Sequence, residues 1–124
     1  MKFDILLLVG AGGAAGSMLR YAFACWMTGC VRIPSFFGTF VVNVVGSLAI
    51  GFIYGLSERH GWFSPQLNRL LTTGLCGGFT TFSAFAYENL CLVRDGQWGT
   101  ATLYATSSII VCLAATFSGT VIAQ

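Results

Sequence analysis

One segment decides the fold: Gly74-Leu75-Cys76-Gly77-Gly78-Phe79-Thr80-Thr81-Phe82-Ser83-Ala84-Phe85. It lies in an uncharged run long enough to cross a bilayer, yet paired glycines and paired threonines make it a poor continuous helix. In hydrocarbon an unpaired backbone N–H or C=O is costly, so non-helical backbone survives there only when it is buried in protein or lines a polar cavity. The segment therefore predicts a broken helix with freed carbonyls near Cys76 to Thr80.

The composition excludes a soluble domain. The chain has 124 residues, of which 56% are hydrophobic and 8% are charged, whereas soluble domains carry about 25% charged residues. The fold class predicted is all-α integral membrane, as a single domain over residues 1–124. We expect the lipid bilayer to surround it, and we expect no nucleic-acid partner.

Gaps between charged residues mark the membrane spans. Four transmembrane helices are predicted at about 4–29, 36–56, 66–94 and 98–122, each near the length of roughly 20 residues that a span needs. The third is the broken helix. The linkers are short: Pro34-Ser35, then Ser57 to Pro65, then Asp95-Gly96-Gln97. Pro65 suits the first turn of a helix, and Asp95-Gly96 suits a turn.

The positive charges give almost no orientation signal. With four spans, one side of the membrane carries Lys2, Arg59 and Arg69, and the other carries Arg32 and Arg94, plus Arg20 if it reaches that side. Basic residues normally mark the cytoplasmic side. A balanced chain can insert both ways, so the pattern favours a dual-topology homodimer over a chain oriented by one weak bias.

Small residues recur at four-residue spacing on three helices: Gly12 and Gly16, then Ser47, Gly51 and Gly55, then Gly74 and Gly78. Such stripes let helix backbones approach closely in lipid. The spacing predicts helix contacts but leaves open whether they form within one chain or between two.

Catalysis and side-chain metal chemistry have little support. The five cysteines are dispersed without a C-x-x-C pair, and His60 is the only histidine. Cysteines scattered in membrane helices usually behave as small apolar residues. No serine or cysteine has an evident base partner, so we expect no enzyme activity.

Polar residues inside the spans are more informative. Arg20 lies within the first span, where it either serves an anion or snorkels to the interface, and Asn43 lies near the middle of the second, where it either lines a pathway or joins helices. A stripe at successive four-residue steps follows the last helix: Thr100, Tyr104, Ser108, Cys112, Thr116 and Thr120. Glu88 is the only acidic residue within a span. Neutral donors plus one cation suit an anion better than a cation.

Two phenylalanines follow the predicted break. Phe82 and Phe85 are three residues apart and share one face of the resumed helix. Two rings at this spacing usually indicate core or lipid packing. The neighbouring break makes a pore lining the competing interpretation.

Three segments together resemble the Fluc-type (CrcB-like) fluoride channel family: Gly12 to Tyr21, Gly38 to Gly46, and Gly74 to Phe85. These segments lie on the first three predicted helices, and the resemblance as a whole covers all four. The resemblance implies a dual-topology homodimer with two pores, each using both subunits. It implies a bacterial inner-membrane location and passive export of fluoride.

Site residues follow from this resemblance by position. The implied fluoride pathway comprises Thr39, Asn43, Phe82, Ser83, Phe85, Tyr104 and Ser108. Arg20 corresponds to an arginine near the aqueous vestibule, and Glu88 to an acidic position beside the pore. Carbonyls of Gly77 and Thr80 from both subunits would hold a structural sodium ion on the dimer axis. Where the family often has a hydroxyl residue this chain has Ala84, which removes one possible donor to the anion.

Two other functions remain open at this stage. A small proton-coupled multidrug-type antiporter has a similar size and topology, but it needs a membrane-embedded carboxylate, for which Glu88 is the only candidate. A purely structural membrane subunit would leave the broken helix and the hydroxyl stripe unexplained.

Overall fold

The computed structural model describes residues 1–61 and 63–124, and the regular secondary structure in these ranges is entirely helical. The helices in chain order are α1 (Phe3–Trp26), α2 (Ser35–His60), α3 (Pro65–Arg69), α4 (Gly77–Phe79), α5 (Phe82–Arg94) and α6 (Trp98–Ala123). Two π-helical segments complete the set: Met27–Val31 continues α1, and Leu70–Cys76 joins α3 to α4. The predicted helical fold class is confirmed.

Three helical stretches of the described chain are long and apolar enough to cross a membrane: Phe3–Val31, Ser35–His60 and Trp98–Ala123. The stretch predicted as a third span is instead divided, since helix runs from Pro65 to Phe79 and resumes at Phe82. Thr80 and Thr81, between the two halves, have extended backbone angles. The predicted break in this helix is confirmed.

Local sequence explains where the helices begin and end. α2 continues past the predicted position 56 to His60 and ends because Gly61 adopts a φ of +61°. Residue 62, in the predicted linker from Ser57 to Pro65, lies outside the described residues. Pro65 occupies the first turn of α3 as predicted, and the Ser64 hydroxyl caps it by accepting from the Leu67 amide at 3.1 Å. The predicted turn before α6 contains Gly96, at a φ of +76°.

Glycines bring α1 against the first half of the divided helix. Gly12 and Gly16 are buried and face Gly74 and Gly78 of the same chain. A Cβ added to Gly78 would lie 2.5 Å from the carbonyl oxygen of Gly13, closer than real Cβ contacts allow. Both predicted glycine stripes on these helices therefore serve packing within one chain.

The stripe on α2 packs in the same way against α6. Gly51 faces the backbone of Thr116, and a Cβ added to Gly55 would lie 2.9 Å from the carbonyl oxygen of Thr120. α6 contributes Gly119 to this contact, facing the backbone of Phe52. The backbones of α2 and α6 are thus in close contact, and the broken helix packs against these two helices.

A small buried cluster lies where α5 meets α6. Leu92, Ala101 and Tyr104 are its buried members, and Phe36 and Phe85 pack against it from α2 and α5. Because aromatic rings bury large apolar areas, this cluster fixes the position of α5 beyond the break. It thereby determines where Phe85 and its neighbours point.

Candidate functional site

The break is held by the side chain of Asn43 on α2. Its Nδ2 donates to the carbonyl oxygen of Thr81 at 3.0 Å, and its Oδ1 accepts from the Thr81 N–H at 2.8 Å. One side-chain amide thus pairs both the N–H and the C=O of Thr81, which lies between two helices and has no helical partner for them. The Thr81 hydroxyl also accepts from the Ala84 N–H at 3.2 Å and so caps α5.

The other backbone groups of the break divide into paired and unpaired carbonyls. The Cys76 carbonyl accepts from both the N–H and the hydroxyl of Thr80, at 3.0 and 2.9 Å. The Gly78 carbonyl accepts from Nε of Arg20 at 3.0 Å. Within residues 1–61 and 63–124, the carbonyl oxygens of Gly77 and Thr80 accept no hydrogen bond. Two unpaired carbonyls close to each other could serve as ligands for a cation.

A groove of about 390 Å³ runs beside the break and is open to the surface of the chain. We call it the main groove. Six of the residues predicted for the site line it: Asn43, Gly77, Thr80, Phe82, Phe85 and Ser108. The fold thus brings α2, both halves of the broken helix and α6 to one cavity.

The two phenylalanines form part of an aromatic row that leads out of the main groove. The ring centroids of Phe82 and Phe85 are 5.4 Å apart, and Phe85 meets Tyr104 edge to face at 5.1 Å. Phe82 is 78% exposed, although it lines the groove. The ring of Phe85 therefore contacts rings on both sides, whereas most of the surface of Phe82 is not covered by other residues.

Ser108 offers the main groove an unused hydroxyl. The residue is 7% exposed, and its Oγ has no hydrogen-bond partner among the described residues. A buried hydroxyl without a partner is uncommon because it loses its bonds to water without replacement. Ser108 is therefore available to donate to a bound species.

Three of the predicted residues form a separate cluster outside the main groove. The Glu88 carboxylate accepts from the Thr39 hydroxyl at 3.1 Å and from the Tyr104 hydroxyl at 3.2 Å. Each hydroxyl has one hydrogen, so neither can donate to an anion while it bonds Glu88. This pairing could not be predicted from the sequence, because Thr39 and Tyr104 lie 49 and 16 positions from Glu88 along the chain.

A second groove, of about 240 Å³, contains Arg20, Thr39, Thr81 and Ala84 in its lining. Arg20 uses only Nε in its bond to Gly78, which leaves the remaining N–H groups of the guanidinium for another partner. Thr81 lines both grooves. The second groove therefore adjoins the main groove at the break.

Ser83 and Ala84 lie at the start of α5. Ser83 is exposed and lines neither groove, and its Oγ is 3.3 Å from the hydroxyl of Thr81. Ala84 faces the second groove and not the main one. The hydroxyl that this chain lacks at position 84 would therefore belong beside Arg20.

Residues 7–120 match the family described as CrcB-like protein, Camphor Resistance (CrcB). A protein of Chlorobaculum tepidum named fluoride-specific ion channel FluC is 50% identical, over all of this chain and 98% of its own length. Proteins of the same name from Flavobacterium psychrophilum and Methylobacillus flagellatus are 40% and 45% identical, covering 96% and 87% of this chain and 96% and 85% of their own lengths. From the matched segments around the break and from these full-length similarities, we conclude that the chain belongs to the CrcB-like family.

Proposed function

We propose that the chain is a subunit of a passive, fluoride-selective channel in a bacterial plasma membrane. The observation that carries this proposal is the main groove beside the broken helix, which is lined by Asn43, by two phenyl rings and by Ser108, whose hydroxyl has no partner among the described residues. Relatives named as fluoride-specific ion channels support the same function. Members of such a family conduct ions, so the chain is not an enzyme.

Fluoride is small and strongly hydrated, so a pathway must replace its water with hydrogen-bond donors. Ser108 can donate its hydroxyl hydrogen, and Asn43 can donate the second hydrogen of Nδ2, because only one is used on Thr81. Aromatic rings have positive edges, so Phe82 and Phe85 can meet an anion weakly while excluding bulk water. Weak contacts at several positions let the ion leave as readily as it enters.

The remaining predicted residues fit the approach to this pathway. Arg20 carries a positive charge and free N–H groups into the second groove, next to Thr81. Thr39 and Tyr104 would donate to fluoride only after releasing Glu88. In this proposal the Glu88 carboxylate keeps the two hydroxyls oriented. Each hydroxyl then switches its hydrogen bond from Glu88 to fluoride while the ion passes.

We propose that the working unit is a dual-topology homodimer of four-span subunits, with α3, α4 and α5 together forming the third span. The main groove is open to the surface of the chain, and Phe82, which lines it, is 78% exposed. A second copy inserted in the opposite direction would close the groove, and the balanced basic residues permit both orientations. Two-fold symmetry would then produce two equivalent pores.

The unpaired carbonyls of Gly77 and Thr80 fit the proposed structural sodium ion. Carbonyl oxygen is a hard ligand that suits a small hard cation, and both residues line the main groove. Bound there by both subunits, the ion would supply positive charge close to the anion pathway. In the cell, fluoride entering as HF in acid would dissociate and leave through the pores down its electrochemical gradient.

Fluoride and chloride efflux from liposomes tests the function directly. The liposomes would contain the purified protein together with potassium fluoride and potassium chloride. Valinomycin would carry potassium out to compensate the charge, and a separate electrode would record each anion. We expect fast fluoride efflux and little chloride efflux. Absence of fluoride efflux from folded, dimeric protein would contradict the proposal.

In the same assay we expect Phe82→Ile to slow fluoride efflux at least about tenfold, a change equivalent to about 1.4 kcal/mol. Isoleucine keeps the apolar bulk but lacks the positive ring edge that meets the anion. Phe117→Ile is the matched control, since Phe117 is 70% exposed on α6 and does not line the main groove. Equal rates for the two variants would exclude Phe82 from the pathway.

Glu88→Gln separates a channel from the proton-coupled antiporter, an alternative that the comparisons do not support. Glutamine keeps one acceptor oxygen for the Thr39 or Tyr104 hydroxyl but cannot exchange a proton. We expect the rate of fluoride efflux to stay within about tenfold of the wild-type rate, because the substitution weakens only one charge-assisted hydrogen bond. A complete loss of transport from protein that still folds would instead favour coupling through Glu88.

A further inference from the structure

A third groove lies between the last turns of α2 and the start of the broken helix. Its volume is about 290 Å³, and we call it the third groove. None of the residues that line it belongs to the proposed fluoride pathway. They are Tyr54, Phe63, Pro65, Asn68, Arg69 and Thr72. This groove therefore needs an explanation of its own.

Hydrogen bonds fix the two walls of the third groove relative to each other. On the wall formed by the broken helix, the Thr72 hydroxyl donates to the Asn68 carbonyl oxygen at 2.8 Å, and Arg69 directly follows Asn68. Between the walls, Nδ2 of Asn68 donates to the Ser57 hydroxyl at 3.3 Å. Ser57 is three residues after Tyr54 and shares its face of α2. Tyr54 and Arg69 therefore line opposite walls close to this contact.

Two hydrogen-bond donors of the third groove are unused. Within residues 1–61 and 63–124, the Arg69 guanidinium and the Tyr54 hydroxyl form no hydrogen bond and no ion pair. The planar guanidinium can donate to two oxygens of one phosphate group at the same time. Among the described residues that line the groove none is acidic, so a ligand's ammonium group would find no opposite charge there. The groove therefore suits an anion that carries no amine.

The length of α2 places the third groove near the lipid headgroups. α2 has 26 residues and is therefore about 39 Å long, whereas the hydrocarbon core of a bilayer is about 30 Å thick. Its end at His60 thus extends beyond the hydrocarbon, and Tyr54 lies about 9 Å before this end. Tyrosine is enriched at this depth, where its ring contacts acyl chains and its hydroxyl contacts headgroups. Lipid phosphates surround the chain at the level of Arg69.

We propose that the third groove binds the phosphodiester of an anionic phospholipid whose headgroup carries no amine, such as phosphatidylglycerol. The Arg69 guanidinium donates to the two non-bridging phosphate oxygens, and the Tyr54 hydroxyl donates to an oxygen of the headgroup. Phe63 and Pro65 offer apolar surface to the glycerol backbone. The bound lipid joins α2 to the start of the broken helix and stabilises the protein, because it binds only the folded chain. This site is independent of the proposed channel function.

Native mass spectrometry of the protein in detergent measures this binding without relying on fluoride transport. The protein would receive equal amounts of phosphatidylglycerol and phosphatidylcholine with identical acyl chains. We expect about one phosphatidylglycerol per chain to bind at least about fivefold in preference to phosphatidylcholine, the effect of one basic residue beside an anionic headgroup. Arg69→Gln should abolish this preference. Tyr54→Phe removes only the hydroxyl and should weaken phosphatidylglycerol binding at least about twofold.

Arg59→Gln is the matched control, because Arg59 is exposed in the last turn of α2 and does not line the third groove. It removes the same charge from the same end of the chain and should leave the preference within about twofold of wild type, since exposed charges are screened by salt. Equal losses in Arg59→Gln and Arg69→Gln would show diffuse attraction and overturn the site.

Two further results would overturn the proposal. One is equal binding of the two lipids by the wild-type protein. The other is displacement of phosphatidylglycerol by excess inorganic phosphate, which would show that the groove takes free phosphate instead of a lipid. If Arg69→Gln does not fold, Arg69→Lys replaces it. Lysine keeps the charge but cannot donate to two oxygens in a fixed fork, so its preference should lie below that of wild type. An unchanged preference in Arg69→Lys would contradict the proposed contact.

Discussion

Replacing Asn43 by aspartate is expected to reduce fluoride efflux at least about 100-fold, equivalent to about 2.8 kcal/mol. The carboxylate can still accept from the Thr81 N–H but cannot donate to the Thr81 carbonyl, and a buried carbonyl left unpaired costs about 1–3 kcal/mol. A carboxylate in the middle of a membrane helix costs about 2.5–3.5 kcal/mol more. Its charge also lines the main groove and repels the anion. The measurement is liposome efflux per amount of folded protein.

Asn68→Asp is the matched control for this change. The Asn68 amide donates to Ser57 at 3.3 Å, away from the main groove, so the same substitution there should leave fluoride efflux near the wild-type rate. Asn43→Ala separates the two causes, because it breaks both bonds to Thr81 without adding charge. Wild-type efflux from Asn43→Asp would show that this side chain neither holds the break nor meets the ion.

Gly16→Ala should destabilise the protein by about 1–3 kcal/mol, the usual cost of inserting a carbon into a packed core. The new Cβ would lie 2.8 Å from the Phe79 amide nitrogen and would overlap the carbonyl oxygen of Leu75. Because these contacts are backbone atoms, only a shift of the whole half-helix could relieve them. The shift would reach the break, so fluoride efflux should fall together with the free energy of unfolding measured in detergent.

Gly10→Ala provides the control in the same helix. Outside its own helix backbone, no atom of the described residues lies within 4 Å of a Cβ added to Gly10, so this change should leave stability unchanged or raise it by up to about 1 kcal/mol through helix propensity. If Gly16→Ala and Gly10→Ala have equal stability and equal efflux, then α1 does not pack on the divided helix as described.

The break could be predicted because its signals are local. Paired glycines and paired threonines in an uncharged run disfavour a continuous helix, and the backbone departs from helix at Thr80 and Thr81. What holds the break could not be predicted. Asn43 pairs with Thr81 across 38 positions, and helical periodicity gives the face of a residue but not its partner.

The same limit applies to the predicted donors. Tyr104 and Ser108 share one stripe of the last helix, yet Tyr104 bonds Glu88 whereas the Ser108 hydroxyl has no partner among the described residues. The difference arises from how α5 packs against α6, and the spacing of residues along the sequence does not predict this packing. The cysteines show that the sequence can also hide a proximity. The five cysteines are dispersed along the chain, yet the fold places Cys76 and Cys112 in the lining of the same groove.

The pair of bonds between Asn43 and Thr81 also has a consequence for biogenesis. Before α2 packs beside the segment around Thr81, the Asn43 amide is not in place to pair the two backbone groups of Thr81. Leaving them unpaired in hydrocarbon is costly, whereas an unbroken helix would pair them internally. We therefore expect the segment to insert as one helix and to unwind at Thr80 and Thr81 only when Asn43 and Arg20 reach it. On this expectation the bend is acquired during assembly in the membrane, and each chain completes it only after its own helices have met.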